Sequence, residues 1–221
     1  MTLNFDDIET ESLRVISELR EADVDFMAVD TETTGFHLLG GDSEVIGISF
    51  AAYASEKPYS HYVPLKHASG DNVSTEVYEA LRELLVTSNF ELVFVNAQFD
   101  LIALKKVGID LTKCDFVDVP TMAHLIDENK PFNKGLDSLA QFYLKDEGKV
   151  KDEFLEAEKK IGWPNTTWQQ MWPYAVRDAE LTWRLYDLLR TKQQWQELPD
   201  GFWSHKQDLI RLLFSMQEHG V

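Results

Sequence analysis

The residues with the clearest chemical potential are acids at short, regular spacings. Phe26-Met27-Ala28-Val29-Asp30-Thr31-Glu32-Thr33-Thr34-Gly35 reads as a buried strand that ends in two carboxylates and a turn. Residues two apart on a strand share a face, so Asp30 and Glu32 project together. Neighbouring carboxylates repel, and one is held protonated unless a cation sits between them. Oxygen ligands of this kind suit a hard divalent cation such as magnesium or manganese. The alternative is a strand end with two solvated acids. Val95-Asn96-Ala97-Gln98-Phe99-Asp100 crosses from a strand into a helix, with Asn96 at the N-cap position and Asp100 on the same side four residues on. Asp100 could equally serve the helix dipole. Tyr174 and Asp178 are i and i+4 on a late helix whose face continues through Thr182, Leu185 and Leu189. An acid on that apolar face needs a partner. An arginine, a backbone donor, or a metal shared with Asp30 and Glu32 would serve.

The elements that must position these groups follow from the pattern of apolar residues. Met1 to Ile8 reads as an edge strand or lead-in, and Thr10 to Glu21 as a helix with Thr10 placed to cap it and Leu13, Ile16 and Leu19 on one stripe. Strands are expected over Phe26–Thr31, Val45–Ala54 and Tyr59–Leu65, forming an antiparallel meander. The Gly40-Gly41-Asp42 link reads as a hairpin turn rather than a phosphate loop, because no Gly-Lys-Ser/Thr follows. Ser74–Thr87 is a helix buried through Val77, Leu81, Leu84 and Leu85. Glu91–Val95 is a strand, and Ala97–Val107 is a helix closed by Gly108. Helices are expected over Phe116–Glu128 and Leu136–Leu144, a solvated loop and helix over Lys145–Lys160, and a long helix from Trp172 with Pro173 in its first turn. At helical positions Trp172 and Trp183 read as core residues. Strands first and helices interleaved later give an α/β fold, a mixed sheet flanked by helices.

Composition limits the function classes. The 221 residues suffice for one large domain or two small ones, and 44% hydrophobic content supports a substantial core. Cys114 is the single cysteine, so an internal disulfide and a multi-cysteine zinc site are excluded, in keeping with a reducing, intracellular setting. No signal-peptide pattern and no membrane-spanning apolar run is visible. The net charge of −17, from 21 Lys+Arg and 38 Asp+Glu, argues against a broad basic face for nucleic acid. A nucleic-acid enzyme remains compatible if metal ions neutralise the local field and a neighbouring domain supplies grip.

The ordered set Asp30-Thr31-Glu32, Asn96 to Asp100, and Tyr174 to Asp178 resembles the DEDD exonucleases of the ribonuclease H-like, DnaQ-like superfamily, in the subclass with tyrosine in its last motif. Further similarity is to the proofreading domain of family A (pol I-like) DNA polymerases. Asp30 to Gly35 looks like that family's first motif. Asp118 to Glu128 is similar to its Asp-Thr-x-x-Ala helix, departing at Val119-Pro120, and Leu136 to Leu144 resembles its Leu-Asp-x-Leu-Ala-x-x-Tyr-Leu segment. Leu209 to Leu213 and Met216 to Val221 look like the entry to a polymerase domain. The resemblance therefore divides the chain into an exonuclease domain over 1–205 and the start of a linker over 206–221, as in a detached or truncated domain.

The resemblance implies a ribonuclease H-like sheet whose first three strands are antiparallel. It implies two-metal hydrolysis at the 3′ end of single-stranded or frayed DNA, with two divalent cations, Mg2+ or Mn2+, roughly 3.5–4 Å apart. Asp30, Glu32 and Asp178 would hold the first cation, Asp30 would bridge to the second, and Asp100 would act through water. Tyr174 would orient the attacking hydroxide. Thr33 would lie near the terminal 3′ hydroxyl, Phe36 would wedge between the last two bases unless it packs in the core, and Asn96 would contact the scissile end. Phe154 is a further stacking candidate. The implied partners are a DNA 3′ end and a polymerase domain in the same or a separate chain. An RNase D-like exoribonuclease and a non-enzymatic docking domain on the same fold are the alternatives.

Overall fold

The computed structural model describes residues 5–87, 89–146, 156, 165–199 and 201–220. In chain order the elements are helix α1 (Phe5–Glu21), strands β1 (Phe26–Thr33), β2 (Val45–Ala54) and β3 (Lys57–Pro64), helix α2 (Thr75–Thr87), strand β4 (Glu91–Phe94), helix α3 (Ala97–Lys106), strand β5 (Phe116–Asp118), and helices α4 (Val119–Ile126) and α5 (Leu136–Leu139). A π-helical turn, Ala140–Leu144, continues α5. Helices α6 (Trp168–Leu189), α7 (Gln193–Gln196) and α8 (Phe202–Glu218) complete the order. The strands form one sheet in the order β3-β2-β1-β4-β5. The first three are antiparallel, whereas β1, β4 and β5 run parallel. The α/β fold with a mixed, helix-flanked sheet is thus the one expected.

Strand β1 lies at the centre, and its alternation separates two cores. Met27 and Val29 join Ile16, Leu81, Phe94 and Leu101 on the side of α1, α2 and α3. Phe26 and Ala28 join Val117, Met122, Ala179 and Leu185 on the side of α4 and α6. By the same parity Asp30 and Glu32 face α6, and Thr31 faces α3. Strand β4 pairs with β1 only as far as Ala28, so beyond Ala28 the end of β1 borders the opening at the N-terminus of α3. Crevices at the carboxyl ends of strands, where strand order reverses, are the usual ligand sites of open α/β sheets.

Several expectations are corrected. Helix α1 extends to Phe5, so the N-terminal stretch is not a strand over its described part and Thr10 lies inside the helix. Ile8 is fully buried and Ile16 and Leu19 continue its stripe, which favours one helix over a strand and a cap. The expected helix over Phe116–Glu128 is split. Phe116 and Val117 pair with Leu92 and Val93, and Asp118 then caps α4 by accepting from the Thr121 backbone N–H at 3.1 Å. Pro120 sits in the first turn of α4, where its missing N–H costs nothing. Asp118 also accepts from the Ala97 N–H at 2.9 Å. It therefore serves α3, while Asn96, with φ 69°, makes no side-chain cap bond. Pro173 is not in a first turn. A capping box of Thr167 and Gln170 starts α6 at Trp168, which leaves the proline inside the helix.

Trp168 is buried, Trp172 packs beside it, and Trp183 stacks on Phe26 with ring centroids 5.1 Å apart, so these indoles serve the core. The mixed-charge stretch 145–160 lies mostly outside the described residues, and so does Phe154. Among the described residues no helix is long and apolar enough to cross a membrane.

Candidate active site

A cleft of about 560 Å³ opens at the end of β1, lined by Asp30, Glu32, Thr33, Phe36, Asp100, Tyr174 and Asp178 together with the Gly135-Leu136-Asp137 segment. Seven of the eight predicted site residues thus line one cavity. Asn96 is exposed at the head of α3, between the lining residues Val95 and Phe99, and is not itself among them.

Asp30 and Glu32 come from consecutive positions on the α6-facing side of β1, opposite Ser49 and Gly47 of β2. The register shifts between Glu32 and Thr33, which ends the regular ladder at the cleft. Gly47 is required here: a Cβ at that position would meet the Tyr62 hydroxyl oxygen at 2.1 Å. Tyr62 in turn bonds His67 Nε2 at 2.7 Å, and His67 Nδ1 lies 2.8 Å from the Thr166 carbonyl oxygen. This buried chain supports the sheet behind Glu32.

Asp100 arrives on the first turn of α3 and is held by Thr31, whose hydroxyl and backbone N–H donate to its Oδ1 at 2.6 and 3.1 Å. Asp178 and Tyr174 arrive one turn apart on α6, and the Tyr174 hydroxyl bonds the Asp178 carboxylate. Arg177 Nη1 donates to Asp178 Oδ1 at 2.7 Å, and its Nη2 reaches Asp146 at 2.6 Å. Asp178 therefore has the arginine partner that its apolar surroundings call for. Sequence reasoning did not assign Arg177, Thr31 or Asp137. The signal available was Arg177 itself, a lone base adjoining the last acid.

The electrostatics of the cleft are those of crowded acids. Burial pushes Asp30 well above the usual carboxylate range, with Asp100, Glu32 and Asp178 adding repulsion. Burial likewise pushes Asp100 up to about 8, against the opposing pull of the Thr31 bonds. Burial, then the charges of Asp178, Glu32 and Asp30, raises the Tyr174 phenol, which stays protonated at neutral pH. Carboxylates driven to hold protons are a donor set suited in type to hard divalent cations. Among the described residues, however, no three acidic, histidine or cysteine side chains are gathered into a ready coordination shell. Asp100 Oδ1 is engaged by Thr31 and Asp178 Oδ1 by Arg177, so each carboxylate is oriented in the cleft through one of its two oxygens.

At the rim, Thr33 Oγ1 donates to the Gly35 carbonyl at 2.9 Å. Phe36 is 86% exposed and leans edge-on toward Phe99 at 6.0 Å, so it is not a core residue.

The DNA polymerase A family described as 3′-5′ exonuclease matches residues 5–194. The chain belongs to this 3′-5′ exonuclease family. Among similar proteins, DNA polymerase I of Synechocystis sp. is 29% identical over 94% of this chain, and DNA polymerase I of Borreliella burgdorferi is 24% identical over 97%. The chain spans about a fifth of the length of these relatives, 21% and 22%. Among solved structures, Brucella melitensis NrnC with bound Mg2+ superposes with a TM-score of 0.57 at 16% identity, covering 91% of this exonuclease-family chain and 85% of that one. The POL domain of Pol1 from M. smegmatis, in complex with DNA primer-template and dNTP, superposes with a TM-score of 0.55 at 16% identity, covering 80% and 26%. Both likenesses concern the fold.

Proposed function

We propose that this exonuclease-family chain hydrolyses the terminal phosphodiester at the 3′ end of single-stranded or frayed DNA. It would release 5′-mononucleotides and act as the proofreading partner of a DNA polymerase domain in the same or a separate chain. The observation that carries this reading is the convergence of Asp30, Glu32, Asp100, Asp178 and Tyr174 from β1, α3 and α6 on one cleft.

Asp30, Glu32 and Asp178, with Asp100 in support, would hold two divalent cations, Mg2+ or Mn2+. Such cations supply a water acidic enough to attack at neutral pH and offset the charge on the leaving oxygen. The chain's own groups divide the remaining work. Tyr174, kept protonated, donates a hydrogen bond and orients the attacking oxygen; it is no base near pH 7. Thr33 offers a hydroxyl at the cleft mouth to the terminal sugar. Phe36 presents an exposed ring on which a terminal base can stack, a contact indifferent to sequence. Thr31 holds Asp100 to the cleft wall.

The test is digestion of a 5′-labelled single strand in magnesium or manganese, beside an Asp30→Ala, Glu32→Ala double variant. A metal-dependent ladder of shortening DNA, absent in the variant, supports the reading. A ladder with RNA and none with DNA replaces it by an exoribonuclease. A folded chain that cleaves neither leaves a docking role.

A further inference from the structure

We propose that the loop over 127–135 is a second contact for the substrate strand, with Phe132 stacking on a base upstream of the scissile end and Lys130 meeting the phosphate backbone. The inference rests on the reading of the cleft as a nuclease site.

Phe132 is 97% exposed, and with Phe36 at 86% it stands apart from every other described large apolar side chain; Leu212, at 56%, is next. The loop around it is bonded within itself. Asp127 Oδ1 accepts from the backbone N–H groups of Asn129 and Lys130 at 2.9 and 3.2 Å. Asn133 Oδ1 accepts from the Gly135 N–H at 2.8 Å, and Lys134 Nζ donates to the Pro131 carbonyl. These local bonds shape the loop on either side of the ring, and an apolar surface left in water is unfavourable unless something covers it.

The location points to the same occupant. Gly135, Leu136 and Asp137 form part of the cleft wall, and Phe132 is three Cα steps from Gly135, at most roughly 11 Å. The loop begins with Asp127 and Glu128, but the five residues centred on the ring, Lys130-Pro131-Phe132-Asn133-Lys134, carry two lysines and no acid. Lys130 is exposed and makes no ion pair with a described residue. An aromatic face flanked by ammonium groups is the arrangement that binds single-stranded nucleic acid without regard to sequence. With Phe36 lining the cleft and Phe132 on the loop leading to the Gly135-Leu136-Asp137 wall segment, the strand would be held at two aromatic points.

The experiment measures binding and cleavage separately. A ten-nucleotide thymidine strand carrying 2-aminopurine is titrated in Ca2+, and its digestion is followed in Mg2+ and Mn2+. Phe132→Ala is expected to raise Kd and KM roughly 5- to 100-fold, to move kcat by less, and to lose its effect as the strand is shortened toward two nucleotides. Phe132→Trp should restore binding. Lys130→Gln should flatten the dependence of log K on log salt by about 0.7. If the wild type cleaves while Phe132→Ala binds and cleaves the ten-nucleotide strand equally well, the loop contact is overturned and the nuclease reading stands. Binding that depends on Phe132 with no cleavage in either metal keeps the contact and overturns the hydrolase. A wild type that does neither overturns both.

Discussion

Asp30 and Asp100 keep their protons at pH values where ordinary carboxylates have lost them, and this has a measurable sign. In the unfolded chain both ionise near 3.8, whereas burial holds Asp100 protonated up to about 8 and Asp30 well above its usual range. The folded state therefore binds more protons, and stability falls as pH rises toward and through 8. A divalent cation that binds the ionised acids counters the loss. The melting temperature in chelator should drop between pH 6.5 and 8.5, and Mn2+ should raise it more at pH 8.5 than at pH 6.5. An equal shift at both values would contradict the cation assignment. Tyr174→Phe should lower kcat roughly 10²-fold, the size of losing one oriented donor, while leaving the cation-induced melting shift in place. The pairing of Asp30 with Glu32 was legible because strand parity is strict. The reach of Arg177 to Asp146 was not, because Asp146 lies 31 residues earlier in the chain and meets Arg177 only through tertiary packing.

At the scale of elements, Asp118 is the least obvious support of the site. Its carboxylate caps α4 through Thr121 and α3 through Ala97, and α3 carries Asp100. Asp118→Ala should cost about 2 kcal/mol in urea unfolding, roughly 1 for each helix start, and should lower activity more than that loss alone implies. Asn96→Gly should stay within about 0.5 kcal/mol, since Asn96 caps nothing through its side chain and its positive φ suits glycine. The contrast would be lost if Asn96 were the true cap. Sequence reading placed most strands and helices within a few residues because their apolar periods are distinct. It missed β5 because Phe116 and Val117 run straight into the apolar stripe of α4, and a three-residue strand has no period of its own. It placed the start of α6 too late because Pro173 resembles a first-turn proline, and the capping box lies a turn earlier.

At the scale of the whole molecule, His61 ties α1, β3 and α6 together. It bonds Ser12 at 2.8 Å and meets Trp172 edge-on at 4.7 Å. Burial pushes it down to about 4 from an ordinary 6.5. The unfolded chain takes up that proton first, so stability present above pH 6.5 is lost as pH falls toward 4, by about 3 kcal/mol. His61→Gln should flatten this acid limb in urea titrations at pH 4 to 6.5; an unchanged slope would remove His61 as its source. The expectation of an acidic, mixed-sheet molecule came from composition and element order, whereas the two-sided core around β1 needed the actual registers.

The acids of the cleft stand far apart in the chain and meet only because α6 packs across β1. During synthesis Asp30 and Glu32 leave the ribosome long before Asp178 exists, and the nascent sheet has no complete site to offer. A polypeptide abandoned before α6 should therefore leave a nucleic-acid strand uncut. The order of translation itself withholds the cutting edge until the rest of the fold is there to guide it.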